Sequence, residues 1–291
     1  MTHLDLLDGR TLEYVTAGPA DGFPLLLHHG TPSGALLYPE LVETATRHGL
    51  RIVMHSRPGY AGSTPQPGRT VAGVAADVTA LLDALGAPAF VTVGWSGGGP
   101  HALACAALLP DRCLAAATIA GVAPYGAEGL DWLAGMGAEN LTEFGAAVAG
   151  EPALTAYLEA EAPGFAAVTG SVLAGAFADL LSEVDSKVLV GGFADYLAES
   201  CRLSVSTGIA GWRDDDLAFV ADWGFPLDTL TVPVAIWQGA HDRMVPFDHG
   251  RWLAAHVAGA RVHLEPGEGH LSLMVNAFDA VVADLLTLRR D

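Results

Sequence analysis

Short apolar runs alternate with longer amphipathic stretches in the first part of the chain and again near its end. The short runs are rich in leucine and β-branched residues, and they predict strands at 4–7, 11–16, 24–28, 51–55, 90–93, 114–120, 234–238 and 261–264. Segments with apolar residues at helical spacing predict helices at 39–48, 71–85, 101–109, 248–257 and 271–288. This alternation predicts an α/β fold with a mostly parallel sheet that is covered by helices on both faces.

The interval 125–228 interrupts the alternation. It contains helix-like segments, among them 130–136, 141–148 and 187–203, and no convincing strand. We therefore expect a helical cap that is inserted after the sixth strand and lies over the carboxyl edge of the sheet. On this interpretation, residues 1–124 and 229–291 form the core and residues 125–228 form the cap.

Composition and charge narrow the possible functions. Hydrophobic residues make up 51% of the 291 positions and charged residues 16%, so the chain can bury a large core. The formal net charge is −19, and Lys187 is the single lysine. Such a surface repels polyanions, which argues against nucleic acid and anionic membranes as partners.

Signals for export or membrane insertion are absent from the sequence pattern. The first residues are acidic and lack a long apolar run, which is not the pattern of a secretory signal. The longest apolar region is interrupted by Pro110-Asp111-Arg112, so we expect no transmembrane helix. Three widely spaced cysteines indicate neither a disulfide framework nor a zinc site. These features favour a cytoplasmic protein.

The interval 125–228 is strongly acidic, with 17 of the 33 acidic residues and only 3 of the 14 lysines and arginines. The ordinary interpretation is a solvated acidic face, on which Asp214-Asp215-Asp216 mark the start of a surface helix. The alternative interpretation is an electrostatic field that attracts a cationic small-molecule substrate.

The strongest chemical signal lies at 90–100, which reads FVTVGWSGGGP. An apolar strand ends at Gly94, Ser96 follows two residues later, and Gly98 precedes a helix of small residues. Glycines on both sides of a serine let a strand and a helix approach closely around a sharp turn. The serine hydroxyl is then exposed beside a helix N-terminus that can stabilise an oxyanion. This pattern makes Ser96 the candidate nucleophile.

A serine nucleophile needs a base and a third group that orients the base. Asp242 follows one predicted strand, and His270 lies on a glycine-rich loop after the next. With Ser96 they give the chain order Ser, Asp, His, each just beyond the end of a strand. Glu265 and Glu268 are alternative partners for His270.

The loop 28–34 reads HHGTPSG and follows an early strand. Its Thr31 N–H and the N–H of Gly97 are the candidate oxyanion donors. Trp95, Trp212 and Met244 are candidates for an apolar substrate pocket, and ordinary core packing is the alternative interpretation for each.

Together these motifs resemble a capped α/β-hydrolase. The matching pieces are His29-Gly30-Thr31-Pro32, Arg57-Pro58-Gly59-Tyr60-Ala61-Gly62-Ser63, Gly94-Trp95-Ser96-Gly97-Gly98, Gly239-Ala240-His241-Asp242 and Gly269-His270. The resemblance covers the whole predicted core. It implies a hydrolase without metal or organic cofactor, with Ser96 as nucleophile, His270 as base and Asp242 as the orienting acid. Epoxide hydrolases and dehalogenases, which have similar folds, use an aspartate nucleophile, so serine at position 96 argues against their chemistries.

The function that we expect is cleavage of a small carboxylic ester or lactone through an acyl-enzyme on Ser96. An aminopeptidase of the proline-iminopeptidase type is one alternative, although that group usually has Gly-Gly-Ser-Trp-Gly around the nucleophile. A cofactor-free perhydrolase or carbon–carbon bond hydrolase would use the same three residues. A non-catalytic ligand-binding protein with this fold is the last alternative, and the complete Ser-Asp-His set argues against it.

Overall fold

The computed structural model describes residues 1–177 and 179–289. Within this part of the chain, one sheet contains the strands β1 (Thr2–Asp5), β2 (Thr11–Ala17), β3 (Phe23–His28), β4 (Leu50–His55), β5 (Phe90–Trp95), β6 (Cys113–Ile119), β7 (Val234–Gly239) and β8 (Arg261–Glu265). The strand order is β1-β2-β4-β3-β5-β6-β7-β8. β2 pairs antiparallel with β1 and with β4, and the other neighbouring strands are parallel. The predicted mostly parallel sheet is confirmed.

The N-terminal hairpin is present, but its first strand lies two residues earlier than the pattern predicted. β1 ends at Asp5, and the Leu6 N–H donates to the carbonyl oxygen of Arg10 at 2.8 Å. Leu6 therefore belongs to the turn rather than to the strand.

The α-helices in the described part of the chain are α1 (Pro39–Arg47), α2 (Val74–Ala84), α3 (Gly99–Leu108), α4 (Ala138–Ala149), α5 (Glu151–Ala167), α6 (Gly170–Ala176), α7 (Glu183–Val188), α8 (Gly191–Ser204), α9 (Ala210–Val220), α10 (Phe247–His256) and α11 (His270–Leu288).

The alternating directions of the side chains along β3 explain why helices cover both faces of the sheet. Leu26 belongs to one apolar cluster with residues of α2 and α3. Leu25 and Leu27 belong to a second cluster with residues of α1 and α11. Successive side chains of a strand point to opposite faces, so a strand with leucines at consecutive positions needs cover on both.

α11 is, by length and composition, the one helix in the described part of the chain that could cross a membrane. In this fold it packs on the sheet, where Leu273, Phe278, Val281 and Leu285 are buried in the second cluster. Its apolar character is therefore that of a core helix.

Between β6 and β7, the described residues form the six helices α4 to α9 and contribute no strand to the sheet. All six helices lie within residues 125–228, the predicted cap, and we keep that name for them. A helical cap inserted after the sixth strand agrees with the expected fold class. Two predicted helices differ in detail. The segment 130–136 forms turns, in which Gly135 has a φ of 90° that no helix accommodates, and the segment 187–203 is divided between α7 and α8.

The parallel strands end at one edge of the sheet, and this edge positions the candidate chemistry. The register pairs His28 with Gly94, Trp95 with Ile119, and Gly239 with Glu265. The loops that leave these strand ends carry the predicted nucleophile, orienting acid, base and oxyanion donors. Open α/β sheets bind their ligands at this carboxyl edge.

A buried carboxylate joins the cap to the core. Asp215 of α9 is 0% exposed, and its oxygens accept hydrogen bonds from Arg57 Nε at 3.0 Å and from Arg69 Nη2 at 2.6 Å. The hydroxyl groups of Tyr60 and Thr31 donate to the same carboxylate at 3.0 and 2.7 Å. Because the side chains of both arginines are buried as well, the cap and two core loops share one desolvated ion network.

The prediction that Asp214-Asp215-Asp216 start a helix on a solvated surface is wrong. The three residues lie inside α9, and all three are buried. A solvated acidic face therefore describes only part of the interval 125–228. Buried arginines from distant parts of the chain provide the partners that a buried aspartate requires, and local sequence does not reveal them.

Replacing Asp215 by alanine leaves Arg57 and Arg69 as buried charges without a carboxylate. We expect the free energy of unfolding to fall by about 3–5 kcal/mol, which is the usual cost of breaking a buried ion pair. Urea denaturation followed by circular dichroism measures this loss. Glu199→Gln is the control, since Glu199 forms an exposed ion pair with Arg202, and it should leave the midpoint unchanged. Equal midpoints for the two variants would contradict the assigned role of Asp215.

Candidate active site

Ser96 lies at the apex of the turn between β5 and α3. A short 3-10 turn over Ser96–Gly98 connects the two elements. The φ of Ser96 is 55°, in the left-handed region that residues other than glycine rarely adopt. Its side chain is half-buried at the carboxyl edge of the sheet. The strained serine is therefore held by the packing of the strand and the helix around it.

Two glycines make this close packing possible. A Cβ atom on Gly94 would lie 2.1 Å from the carbonyl oxygen of Gly98. A Cβ atom on Gly98 would lie 2.2 Å from the carbonyl oxygen of His28. Both distances are far below van der Waals contact with backbone atoms that have no room to move. The glycines of the sequence motif are thus required by backbone contacts on both sides of Ser96.

The predicted base and orienting acid form a direct hydrogen bond. His270 Nδ1 and Asp242 Oδ2 are 2.8 Å apart, and both side chains are buried. The other oxygen of Asp242 accepts from the N–H groups of Met244 at 2.9 Å and Val245 at 2.8 Å. Gln238 Nε2 donates to Oδ2 at 3.1 Å. These bonds fix the carboxylate and leave Nε2 of His270 as the nitrogen that can take a proton.

The alternative partners of His270 lie elsewhere. The Glu268 carboxylate accepts hydrogen bonds from Asn276 Nδ2 at 3.2 Å. Glu265 ends β8, and its carbonyl oxygen accepts from the Ala240 N–H. Asp242 is therefore the carboxylate that contacts the histidine ring.

The surroundings of His270 favour its protonated form. Burial alone would lower the pKa of the imidazole, but the charge of Asp242, the hydrogen bond between them and the charge of Asp185 act in the opposite direction. Together they raise the pKa of His270 above its ordinary value of 6.5. The histidine is therefore a stronger base than a free imidazole.

Ser96 and His270 line the same cavity, which lies between the sheet edge and the cap. Trp95 is adjacent to both, because its Nε1–H donates to the carbonyl oxygen of His270 at 3.4 Å. Ser96 and His270 thus line one cavity, and Asp242 contacts His270. The catalytic roles of the three residues stay a prediction.

Thr31 and Gly97, whose N–H groups are the candidate oxyanion donors, are neighbouring residues. A Cβ atom built on Gly97 would be 2.5 Å from Thr31 Oγ1, and both residues line the cavity. The Thr31 loop is held from behind by Arg57, which donates to the carbonyl oxygens of His29 at 2.7 Å and Gly30 at 3.0 Å. Arg57 therefore ties the loop to the buried network of Asp215.

The cavity is mostly apolar and has a volume of about 150 Å³. A cavity of that size holds a molecule such as benzene. The three predicted substrate-binding residues, Trp95, Trp212 and Met244, all line it. Trp212 is also bound in place, since its Nε1–H donates to Glu143 Oε1 at 2.7 Å. A role for the three in substrate binding stays a prediction.

Residues 24–277 match the family model described as alpha/beta hydrolase fold. The chain belongs to the α/β-hydrolase family. It is 35% identical over 144 residues to a non-heme chloroperoxidase of Streptomyces lividans, and 30% identical over 125 residues to a bifunctional esterase/perhydrolase of Acinetobacter calcoaceticus. These matches cover 49% and 43% of this chain, and 52% and 45% of the two relatives. The chain thus matches only about half the length of these relatives.

Solved structures of other proteins align with nearly the whole length of this α/β-hydrolase. An enol-lactonase from Burkholderia xenovorans aligns with a TM-score of 0.69, covering 98% of this chain and 100% of the lactonase at 22% identity. An α/β-hydrolase fold protein from Nakamurella multipartita aligns with a TM-score of 0.64 at 27% identity, covering 99% of both chains. The similarity at 22% identity shows a shared fold.

One cap residue, Asp185, contacts the candidate active site of this α/β-hydrolase but was not predicted from the sequence. The carboxylate of Asp185 on α7 is buried and lies at the N-terminus of α11, where His270 is the first residue. It accepts from the N–H groups of His270 at 3.1 Å, Leu271 at 2.8 Å and Ser272 at 2.9 Å. The Ser182 hydroxyl donates to it at 2.7 Å. A carboxylate from the cap thus satisfies the first N–H groups of the helix that begins with the predicted base.

One local signal for this contact exists. Ser182 and Asp185 have the spacing of an N-terminal helix cap, and the Ser182 side chain does accept from the Asp185 N–H at 3.3 Å. That pattern predicts the start of α7. The contact with His270 spans 85 positions of the sequence, and no local pattern indicates it.

Replacing Asp185 by asparagine removes the buried charge but keeps one acceptor oxygen. We expect the free energy of unfolding to fall by roughly 1.5–3 kcal/mol, the usual value of hydrogen bonds to a charged group. The pKa of His270 should also fall, because the charge of Asp185 helps to raise it. Urea denaturation and NMR titration of the histidine ring measure the two effects.

Glu183→Gln is the matched control on the same helix, since Glu183 is exposed and forms an exposed ion pair with Lys187 at 3.0 Å. It should change neither quantity. The same response in both variants would contradict a specific contact between Asp185 and α11.

Proposed function

We propose that the chain is a serine hydrolase that cleaves a small carboxylic ester or lactone through an acyl-enzyme on Ser96. The observation that carries this proposal is the hydrogen bond of 2.8 Å between His270 and Asp242 beside the cavity that holds the strained Ser96. This arrangement supplies a nucleophile, a base and a group that orients the base.

In the proposed reaction, Nε2 of His270 takes the proton of the Ser96 hydroxyl as Oγ attacks the substrate carbonyl. The Gly97 and Thr31 N–H groups bind the resulting oxyanion. His270 then gives its proton to the departing alkoxide. The alcohol group is cleaved from the carbonyl carbon, and the acyl group stays bonded to Ser96. A water molecule then loses a proton to His270 and attacks the acyl group. His270 passes that proton to Ser96 Oγ as the acyl–oxygen bond breaks, which releases the acid and restores the serine hydroxyl. Asp242 keeps Nδ1 protonated throughout.

The names of the relatives support ester chemistry. They include an esterase/perhydrolase, and a structural neighbour is an enol-lactonase. The small apolar cavity around Trp95, Trp212 and Met244 suits a short acyl or alcohol group. The net charge of −19 supports the expectation that nucleic acid and anionic membranes are not partners. A cytoplasmic location stays a prediction.

Perhydrolysis is a second candidate, favoured by the relatives named as a chloroperoxidase and a perhydrolase. Hydrogen peroxide would then replace water as the nucleophile, and the acyl-enzyme would release a peracid. Addition of peroxide during ester turnover distinguishes the two, because only perhydrolysis yields a peracid that oxidises bromide.

A fluorophosphonate probe tests the nucleophile. It should label the wild-type chain covalently, because the phosphorus atom is attacked by an activated serine. Ser96→Ala should abolish labelling, as seen by intact-protein mass spectrometry. Ser200→Ala is the matched control, since Ser200 also lines the cavity, and it should retain labelling. An unlabelled wild type, or equal labelling of Ser96→Ala, would refute the proposal.

The pH dependence of kcat/KM tests the base. His270 must be neutral to accept the proton, so activity should decline as the pH falls through the pKa of His270. That pKa is raised above 6.5, so half of the activity should already be lost at a pH above 6.5. The other buried histidines near Ser96, His28, His29 and His101, have pKa values well below the usual range and do not produce such a decline. A flat profile down to about pH 5 would contradict the assignment of His270.

A further inference from the structure

Four carboxylates of the cap line the cavity that contains Ser96. Glu139 and Glu143 belong to α4, Glu161 to α5 and Asp216 to α9. No lysine or arginine is among the described residues that line it. A mostly apolar cavity with this much uncompensated negative charge is unusual unless a ligand supplies the positive charge.

Asp216 is the most informative of the four. It is 0% exposed, and no N–H or hydroxyl group of the described residues donates to its carboxylate oxygens. Its hydrogen-bond partner is another acid, the carboxyl group of Glu143. Its neighbour Asp215 is equally buried but binds two arginines. Two acids share a hydrogen bond only while one of them holds a proton, so the ionised pair needs a cation, and no lysine or arginine is among the described residues that line the cavity.

The helix geometry puts Asp216 close to the predicted nucleophile. Residues three apart on a helix lie on one face, and Phe219 is three positions after Asp216. A Cβ atom on Gly97 would be 2.9 Å from the ring of Phe219, so this face of α9 lies against the turn that carries Ser96. A group bound by Asp216 would therefore belong to the molecule that occupies the cavity.

Glu143 completes a two-carboxylate site. Its carboxylate accepts from Trp212 Nε1, which fixes it beside the cavity. Burial and the neighbouring charge of Glu143 raise the pKa of Asp216 well above its usual range. A cation between the two carboxylates would offset the repulsion that causes this shift.

We propose that Asp216 and Glu143 form an ammonium-binding subsite, and that the substrate class is a small ester that carries a protonated amine. This inference rests on the proposed ester hydrolysis and names its substrate class. An amine with N–H donors fits better than a metal ion, because no group of three or more histidine, cysteine, aspartate or glutamate side chains among the described residues is arranged to hold a metal. The exposed Glu139 and Glu161 extend the negative field outward and favour the approach of a cation.

The test compares pairs of esters that differ only in charge. 2-(Dimethylamino)ethyl acetate and 3-methylbutyl acetate have the same shape, with the amine on the alcohol side. L-Alanine ethyl ester and ethyl isobutyrate form the matching pair with the amine on the acyl side. We expect the wild-type kcat/KM to favour the protonated member of at least one pair by about ten- to a hundredfold, which is the range for hydrogen bonds to a charged group. High salt should reduce this ratio.

Asp216→Asn and Glu143→Gln keep the side-chain shape and remove one charge each. Each should reduce the preference for the protonated ester about tenfold. Glu159→Gln is the matched control, because Glu159 is exposed on α5 outside the cavity, and it should leave the ratio unchanged. Two subsite variants are used so that poor folding of one does not decide the result.

Binding to Ser96→Ala, measured by calorimetry, separates this inference from the proposed reaction. Tighter binding of the protonated ester than of its isostere supports the subsite even if turnover is not detected. A wild-type ratio near one for both pairs, together with equal binding to Ser96→Ala, overturns the subsite and leaves the ester-hydrolase proposal standing. A ratio that Glu159→Gln lowers as much as Asp216→Asn also overturns it.

Discussion

The buried carboxylate of Asp215 is the interaction on which the candidate active site depends. It accepts hydrogen bonds from Arg57, Arg69, Tyr60 and Thr31, which come from different loops of the core. Apolar packing alone would allow the cap to slide over the sheet edge, whereas a desolvated ion network has a narrow range of acceptable geometries. Asp215 thereby fixes the position of α9 relative to the loop of Thr31.

Asp185 makes a comparable contact on the other side of the cavity. There, a cap carboxylate binds the first N–H groups of α11 and so holds the backbone of His270. The cap consequently contacts the core through one carboxylate behind the predicted oxyanion loop and another behind the predicted base. The two contacts thus connect the cap, which lines the cavity, to the backbone segments that carry Thr31 and His270. A substitution in either contact would change the cavity and the orientation of the reacting groups together.

The sequence predicts those features of the fold and the candidate site that depend on residues close together in the chain. The turn around Ser96 follows from Gly94 and Gly98, which permit backbone contacts that any side chain would prevent. Asp242 and His270 were found because each follows a strand, and parallel strands deliver their ends to one edge. The helices 130–136 and 187–203 were misjudged, because apolar spacing does not indicate a glycine at positive φ or a break between two short helices. Burial of Asp185 and Asp215 could not be predicted, since their partners are up to 87 and up to 184 positions away.

The three consecutive aspartates of α9 show that acidic composition alone does not predict whether a carboxylate is solvated or buried. Neighbouring residues of a helix point about 100° apart, so three adjacent carboxylates meet three different environments. Asp214 binds Arg213, Asp215 binds the buried arginines of the core, and Asp216 lines the cavity, where its partner is the carboxyl group of Glu143. Arginines explain the burial of the first two. Among the described residues that line the cavity, no lysine or arginine does the same for the third, which is why the proposed ammonium group is assigned to it.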